Sequence, residues 1–274
     1  MHPSIPTFRD LELQECETLF ESDIDQDPWV QYHATSSVYE ERIDAEGLQW
    51  TSNVFSAADV LDVIRVFRSM NWGGTHKGGY VVLGSFSLAD FQGEDFKPIY
   101  FRENSLHSLP YATRDFAGGE TARALRYAIR DLESYLAEKS VRDQHLHKQR
   151  HNAISLVSGS TVPGRVVRVN LNWLEEKIEQ LRPLRERCEA LKEHHEYGVV
   201  YAVRFARKDI PALSYSSSMG LRCDAPIPPE KIVGKVRIFV DDRGNGAELY
   251  LKNRWRHEDP NGLLAALVEA EKNG

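Results

Sequence analysis

The feature that most constrains this chain is a change of period along its 274 residues. Short β-patterned segments, around Tyr32, over Lys97 to Phe101, over Tyr197 to Arg204 and over Val236 to Val240, lie on both sides of a helix-patterned stretch from residue 119 to 195. Strands this short are not stable alone, so they must pair across the helical stretch and build a sheet from distant parts of the chain. The expected class is α+β, one domain over residues 1 to 274 carrying a helical insertion at about 119 to 195. Hydrophobic content of 41% with 27% charged residues suits a globular chain long enough to bury a core. A net charge of -7 argues against a strongly basic nucleic-acid clamp while leaving room for a local basic face.

Phe8 to Phe20 reads as an acidic amphipathic helix, placed at residues 8 to 21, with Leu11, Leu13 and Leu19 among Glu12, Glu15, Glu17 and Glu21. Ser56 should cap a second helix, whose apolar positions Val60, Leu61, Ile64 and Phe67 recur at helical spacing. The glycine-rich stretch Trp72 to Gly79 lacks the order of a phosphate-binding P-loop and is expected as a turn before a strand over Tyr80 to Phe86. Helices are expected over Ser105 to Thr113, Glu120 to Gln149, Asn172 to Glu193 with Pro183 bending or breaking it, and Leu263 to Glu271. Arg165 to Leu171 and Ser216 to Cys223 read as further strands, and the Asp242 to Gly246 turn as a hairpin leading to Glu248 to Leu251. Val157 to Gly164 reads as a loop.

Cys16, Cys188 and Cys223 are far apart without CxxC spacing, which argues against a disulfide framework or a thiolate zinc site. No signal-like segment or bilayer-length apolar run is evident, so the expected location is the cytoplasm, with no membrane partner. His145, His147 and His151 lie in a helix-patterned region without a matching carboxylate set, so no metal is expected.

Two stretches carry the candidate chemistry. In the first, Val30 and Tyr32 suit a strand ending near His33, followed by Ala34 and Thr35; Ser37 and Glu40 form a capping-box pattern, Ile43 an apolar anchor, and Gly47-Leu48 a helix end. In the second, Pro98-Ile99-Tyr100-Phe101 and Ser108-Leu109-Pro110-Tyr111-Ala112 place two tyrosines eleven residues apart, one ending a strand and one on the next helical turn.

Together these stretches resemble the diphtheria-toxin-like and poly-ADP-ribose-polymerase-like branch of the ADP-ribosyltransferases. Tyr197 to Val203 and Ile227-Pro228-Pro229-Glu230-Lys231-Ile232 look like that family's closing strands. The resemblance covers residues 30 to 118 and 197 to 240 and implies a split β-sandwich with NAD as substrate. By resemblance, His33 holds a ribose hydroxyl, the Ala34 backbone and Ser108 contact the carboxamide, Thr35 supports the strand, and Tyr100 and Tyr111 sandwich the nicotinamide. The chemistry suits the residue types, because a flat cationic pyridinium is attracted to phenol faces. Loss of nicotinamide builds positive charge on the ribose carbon, which the family meets with a glutamate.

Counting back from Ile227-Pro228, that glutamate falls at Gly220. Three explanations are open: the register is off and Asp224 or another acid serves, the activity is lost or altered, or a glutamate-to-glycine change has detoxified the chain. The implied function is a mono-ADP-ribosyltransferase of toxin or phage-defence type, modifying nucleic acid or protein, with an antitoxin as a further expected partner. A non-catalytic module binding NAD or ADP-ribose is the alternative class. An NAD-dependent RNA 2'-phosphotransferase ranks lower, since no arginine adjoins His33 in sequence to hold a phosphate. Arg123, Arg126 and Arg130 lie on one helical face, either to track phosphates or as a salt-bridged surface.

Overall fold

A computed structural model describes residues 8–11, 19–49, 54–72, 99–114, 119–157, 166–194, 197–216, 220–239 and 261–273. The expected glycine loop with its following strand, the 158–164 loop and the hairpin after residue 240 lie outside them. The chain forms two compact units, one from residues 1–52, 95–120 and 191–274, the other from residues 53–94 and 121–190. Helices and small sheets whose pairs are mostly antiparallel make it an α+β protein.

In the first unit, strands β1 (Phe8–Leu11), β2 (Val30–Ser36), β4 (Tyr197–Arg204) and β7 (Ile232–Phe239) form one sheet in the order β1-β7-β4-β2. Strands β3 (Ile99–Phe101), β5 (Leu213–Ser216) and β6 (Gly220–Cys223) form a second, in the order β3-β6-β5. The alternation of β4 decides how they pack. Val199, Tyr201 and Val203 share a core with Ile99 and Phe101 of β3 and Leu221 and Cys223 of β6, while Val200 and Ala202 face a second core with Tyr32, Ala112 and Val236. A strand buried on both faces reads as a continuous apolar run, which is why Tyr197–Arg204 was legible to the residue.

Helix α1 (Ser22–Asp25), helix α2 (Glu40–Glu46), helix α4 (Ser105–Arg114) and helix α8 (Leu263–Asn273) belong to this unit. Position 198 is glycine because α4 crosses there: a Cβ would run into the backbone of Ala112. That close approach fixes the helix that carries Ser108 and Tyr111. Gly47 ends α2 with φ 79°, and the next residue, Leu48, exchanges backbone hydrogen bonds of 2.8 and 2.9 Å with Ile227.

Several expectations need correction. Phe8–Leu11 is a strand, not the start of an acidic helix; its backbone pairs in parallel with Lys235 to Ile238, and this ladder overrides the local helical pattern. Residues 12–18 of that expected helix lie outside those described. Ser36, not Ser37, accepts from the Val38 amide and opens a 3-10 turn over Ser37–Tyr39, because Glu40 is drawn into a buried ion network instead of closing a capping box. Residues 166–170 form no strand, and Ser216 to Cys223 divides between β5 and β6.

The described elements of the second unit are helices. Helix α3 (Ala57–Ser69) begins with a capping box between Ser56 and Asp59 and buries Val60, Val63, Ile64 and Phe67. The stretch expected as one helix is two, α5 (Gly119–Ala137) and α6 (Lys139–Val157), and the Arg142 guanidinium donates to the Tyr135 and Leu136 carbonyls at the α5 end, at 3.0 and 2.6 Å. Helix α7 (Leu171–His194) runs through Pro183 without ending there. Trp72 stacks on Phe67 with ring centroids 5.4 Å apart and meets Tyr135 and His145.

Candidate functional site

Strand β2 has two neighbours. Along one edge it pairs with β4 over its full length, and on the other, among the described residues, it meets the β3 side at one bridge, where Tyr32 and Arg102 exchange two backbone hydrogen bonds of 2.8 Å. His33 follows that bridge directly. The sequence placed it at a strand end; it sits mid-strand with respect to β4, and just past the bridge that joins β2 to the β3 side.

His33 is half-buried, with its ring 5.7 Å from that of Phe101, and its Nδ1 lies 3.0 Å from the Tyr100 carbonyl oxygen. A carbonyl only accepts, so Nδ1 carries the proton and donates, and neutral His33 presents Nε2 as an acceptor. Burial lowers its pKa, more than the Tyr100 carbonyl raises it, so the ring is uncharged at neutral pH. The backbone that carries one expected ligand tyrosine therefore fixes the tautomer of the expected ligand histidine.

The Tyr100 phenol is on the opposite face of β3 from buried Ile99 and Phe101 and is 37% exposed, which leaves it open to a ligand. Tyr111 is half-buried on α4, where its hydroxyl accepts from the Arg102 guanidinium at 2.8 Å and its ring lies 5.6 Å from the guanidinium carbon. Ser108 is buried and donates to the Ser105 carbonyl at 2.5 Å, so its hydroxyl is held by its own helix. Ala34 and Thr35 continue β2 opposite Val200 and Val199 and are half-buried. His33, Tyr100, Tyr111 and Arg102 are thus tied by direct contacts; Ser108 shares the helix of Tyr111 but is turned inward.

Gly220 opens β6, next to β3. Its φ is +82°, and a Cβ there would press on the Phe101 carbonyl oxygen while lying 3.4 Å from Arg102 Cδ and 3.5 Å from Arg102 Nη1. A left-handed residue with no room for a Cβ is built for glycine. Asp224, the expected substitute acid, is paired to Arg222 at 2.6 Å. Glu103 engages the Tyr215 hydroxyl, and this bond, with burial behind it, raises the Tyr215 pKa.

Arg102 is the residue that reading the sequence overlooked. A signal existed: residues 100 and 102 share a face in a strand, so the side chain two after Tyr100 belongs beside it. Among the described residues, the Tyr111 hydroxyl is the one hydrogen-bond partner of its guanidinium, and no carboxylate lies within ion-pairing distance of it.

The remaining candidates have structural roles. Arg126 donates to the Cys188 carbonyl at 3.2 Å, and Arg130 lies over Tyr127, so the arginine face of α5 is partly spent on its own unit. His145 is buried between Tyr135, Gln149 and the Asn71 carbonyl. Among the described residues, no group of three or more His, Cys, Asp or Glu side chains is placed to hold a metal ion, and no helix is long and apolar enough to cross a membrane. No family model, curated protein or solved structure matches the chain.

Proposed function

We propose that this chain is an NAD-dependent ADP-ribosyltransferase that moves ADP-ribose to a macromolecule and releases nicotinamide. The observation that supports this reading most is the convergence of three distant segments: His33 of β2 bonded to the Tyr100 backbone, and Tyr111 of α4 bonded to Arg102 two residues further on. In this reading, His33 accepts a ribose hydroxyl through Nε2. The exposed Tyr100 ring and Tyr111 hold the pyridinium by stacking and cation-π attraction, worth about 0.5–2 kcal/mol per ring. Incubation with labelled NAD and cell lysate, followed by separate nuclease and protease digestion, tests it. Label retained on one class of macromolecule and lost in the His33→Ala variant is the expected result; no label together with no NAD binding would overturn it.

A second reading, a module that binds NAD without turnover, is favoured by one observation. The left-handed backbone of Gly220 and the Phe101 carbonyl leave no place for the family's glutamate. Saturable NAD binding without label would favour this module. The same geometry argues against a detoxified variant, because a glutamate at this position would be strained.

A further inference from the structure

We propose that His145 is a pH-sensitive latch: uncharged, it holds the Gln149 side chain in a clamp on the backbone of Val167, and charged, it turns to the Asn71 carbonyl and lets that clamp go. Every residue involved belongs to the second unit, so the latch does not depend on the transferase reading.

Gln149 is buried on α6, and its amide is tied to one residue across the unit. The Val167 N–H donates to its Oε1 at 2.7 Å, and its Nε2 donates to the Val167 carbonyl at 3.3 Å. The Val167 N–H is a donor, which settles which end of the amide is oxygen, so the NH2 end is the one that faces His145. That nitrogen is 2.7 Å from His145 Nε2 and 3.3 Å from Nδ1. An amide N–H needs an acceptor, so the nearer ring nitrogen, Nε2, is unprotonated. Nδ1 then carries the proton, 3.2 Å from the Tyr135 hydroxyl.

A second proton has one place to go, Nε2. There it meets the Gln149 NH2 donor against donor, whereas the Asn71 carbonyl oxygen, 3.2 Å from the same nitrogen, accepts it. The ring therefore exchanges partners on charging, and the repelled amide cannot keep both of its bonds to Val167. Loss of the clamp releases residues 166–170, which lead into α7 and whose Asn170 side chain accepts from the Asn172 and Trp173 amides at the start of that helix.

The surroundings keep the ring uncharged at neutral pH. Burial lowers the His145 pKa, more than the Asn71 carbonyl raises it. From α5 the ring faces the Tyr135 phenol, and from beyond α3 the Asn71 carbonyl and Trp72, whose ring is 5.8 Å away. On its own helix, the Lys148 charge opposes a second one, and Arg142 acts on Tyr135. Among the described residues, no carboxylate bonds to the ring. Since the clamped value is below the ordinary histidine one, the released state binds the proton more tightly, and acid between the two values opens the latch.

The test follows the full chain by NMR from about pH 8 downward, with isotope-labelled histidine and amide hydrogen exchange corrected for the intrinsic rate. At the start, His145 should be protonated on Nδ1. Below the ordinary histidine range, protection of the Val167 amide should fall by up to about tenfold per pH unit as the ring charges. His145→Phe should remove that pH dependence, and Gln149→Leu should leave the Val167 amide unprotected at every pH while His145 still titrates. A ring protonated on Nε2 at the start, Val167 protection that stays constant while the ring charges, or an unchanged pH dependence in His145→Phe overturns the proposal, and so does global unfolding before the ring charges. The wild-type readings decide the matter even where His145→Phe does not fold.

Discussion

Two polar clusters in the first unit show what a charge is for by how it is paired. Between α2 and the sheet, buried Glu40 accepts from Lys235 at 2.6 Å, Arg237 at 3.0 Å and the Tyr197 hydroxyl at 2.9 Å, and Asp44 also pairs with Lys235. Every ion there meets an opposite charge inside the protein. Around His33 the pattern is different: the guanidinium of Arg102 rests on a neutral phenol, and the histidine is neutral with one nitrogen committed to a carbonyl. The first arrangement is complete in itself. In the second, a charge has been brought to a half-buried position without a counter-charge among the described residues, an arrangement that gains from an anionic ligand.

The comparison predicts opposite responses to substitution. The largest effect should come from Glu40→Ala, which removes one of the two carboxylates that meet the buried Lys235 ammonium and should cost about 3 kcal/mol of stability. Arg102→Ala should cost less, about 1.5 kcal/mol, since its guanidinium makes one hydrogen bond, to an uncharged phenol. Denaturant unfolding of both variants checks this, and equal losses would erase the distinction. Gly220→Glu should follow, destabilising by about 1–3 kcal/mol from its positive φ without gain of transferase activity. A stable and more active variant would return the family's glutamate to consideration.

Tyr111→Ala should come next, weakening NAD binding by roughly tenfold through loss of a ring contact, read by titration calorimetry. The smallest effect is on pH dependence. Burial raises the Glu40 pKa, but the bonds from Lys235, Arg237 and Tyr197 outweigh it, so the folded value is below the ordinary one. Glu40 therefore contributes stability that is complete above the ordinary glutamate range and fades as pH falls through the folded value. The gap between wild type and Glu40→Gln should be flat from pH 8 to about 5 and narrow below that. His33 acts in a higher window. Its folded value is lowered, so stability rises with pH between that value and the ordinary histidine one, then levels off.

Much of the fold was legible where local pattern and tertiary demand agree. The β4 run, the Ser56 cap, the apolar face of α3 and the Gly47-Leu48 turn all stand where period and turn chemistry put them. Phe8–Leu11 was misread because an edge ladder with β7 supplies what its local pattern does not. The division of the long helical stretch after Ala137 was hidden because Arg142, a residue of the next helix, closes the first one. The candidate site was legible as residue types and spacing, but not as contacts. Nothing in the order of residues says that Arg102 reaches Tyr111, or that Lys235, on a strand between apolar neighbours, is buried against Glu40.

The most direct test is titration of NAD into the full chain and into Tyr100→Ala and His33→Ala. Saturable one-to-one binding that both substitutions weaken by about tenfold or more, with thermal unfolding unchanged for the exposed Tyr100 variant, is the predicted result. Binding that neither change affects, or no binding to the wild-type chain, would contradict a dinucleotide site built from β2, β3 and α4.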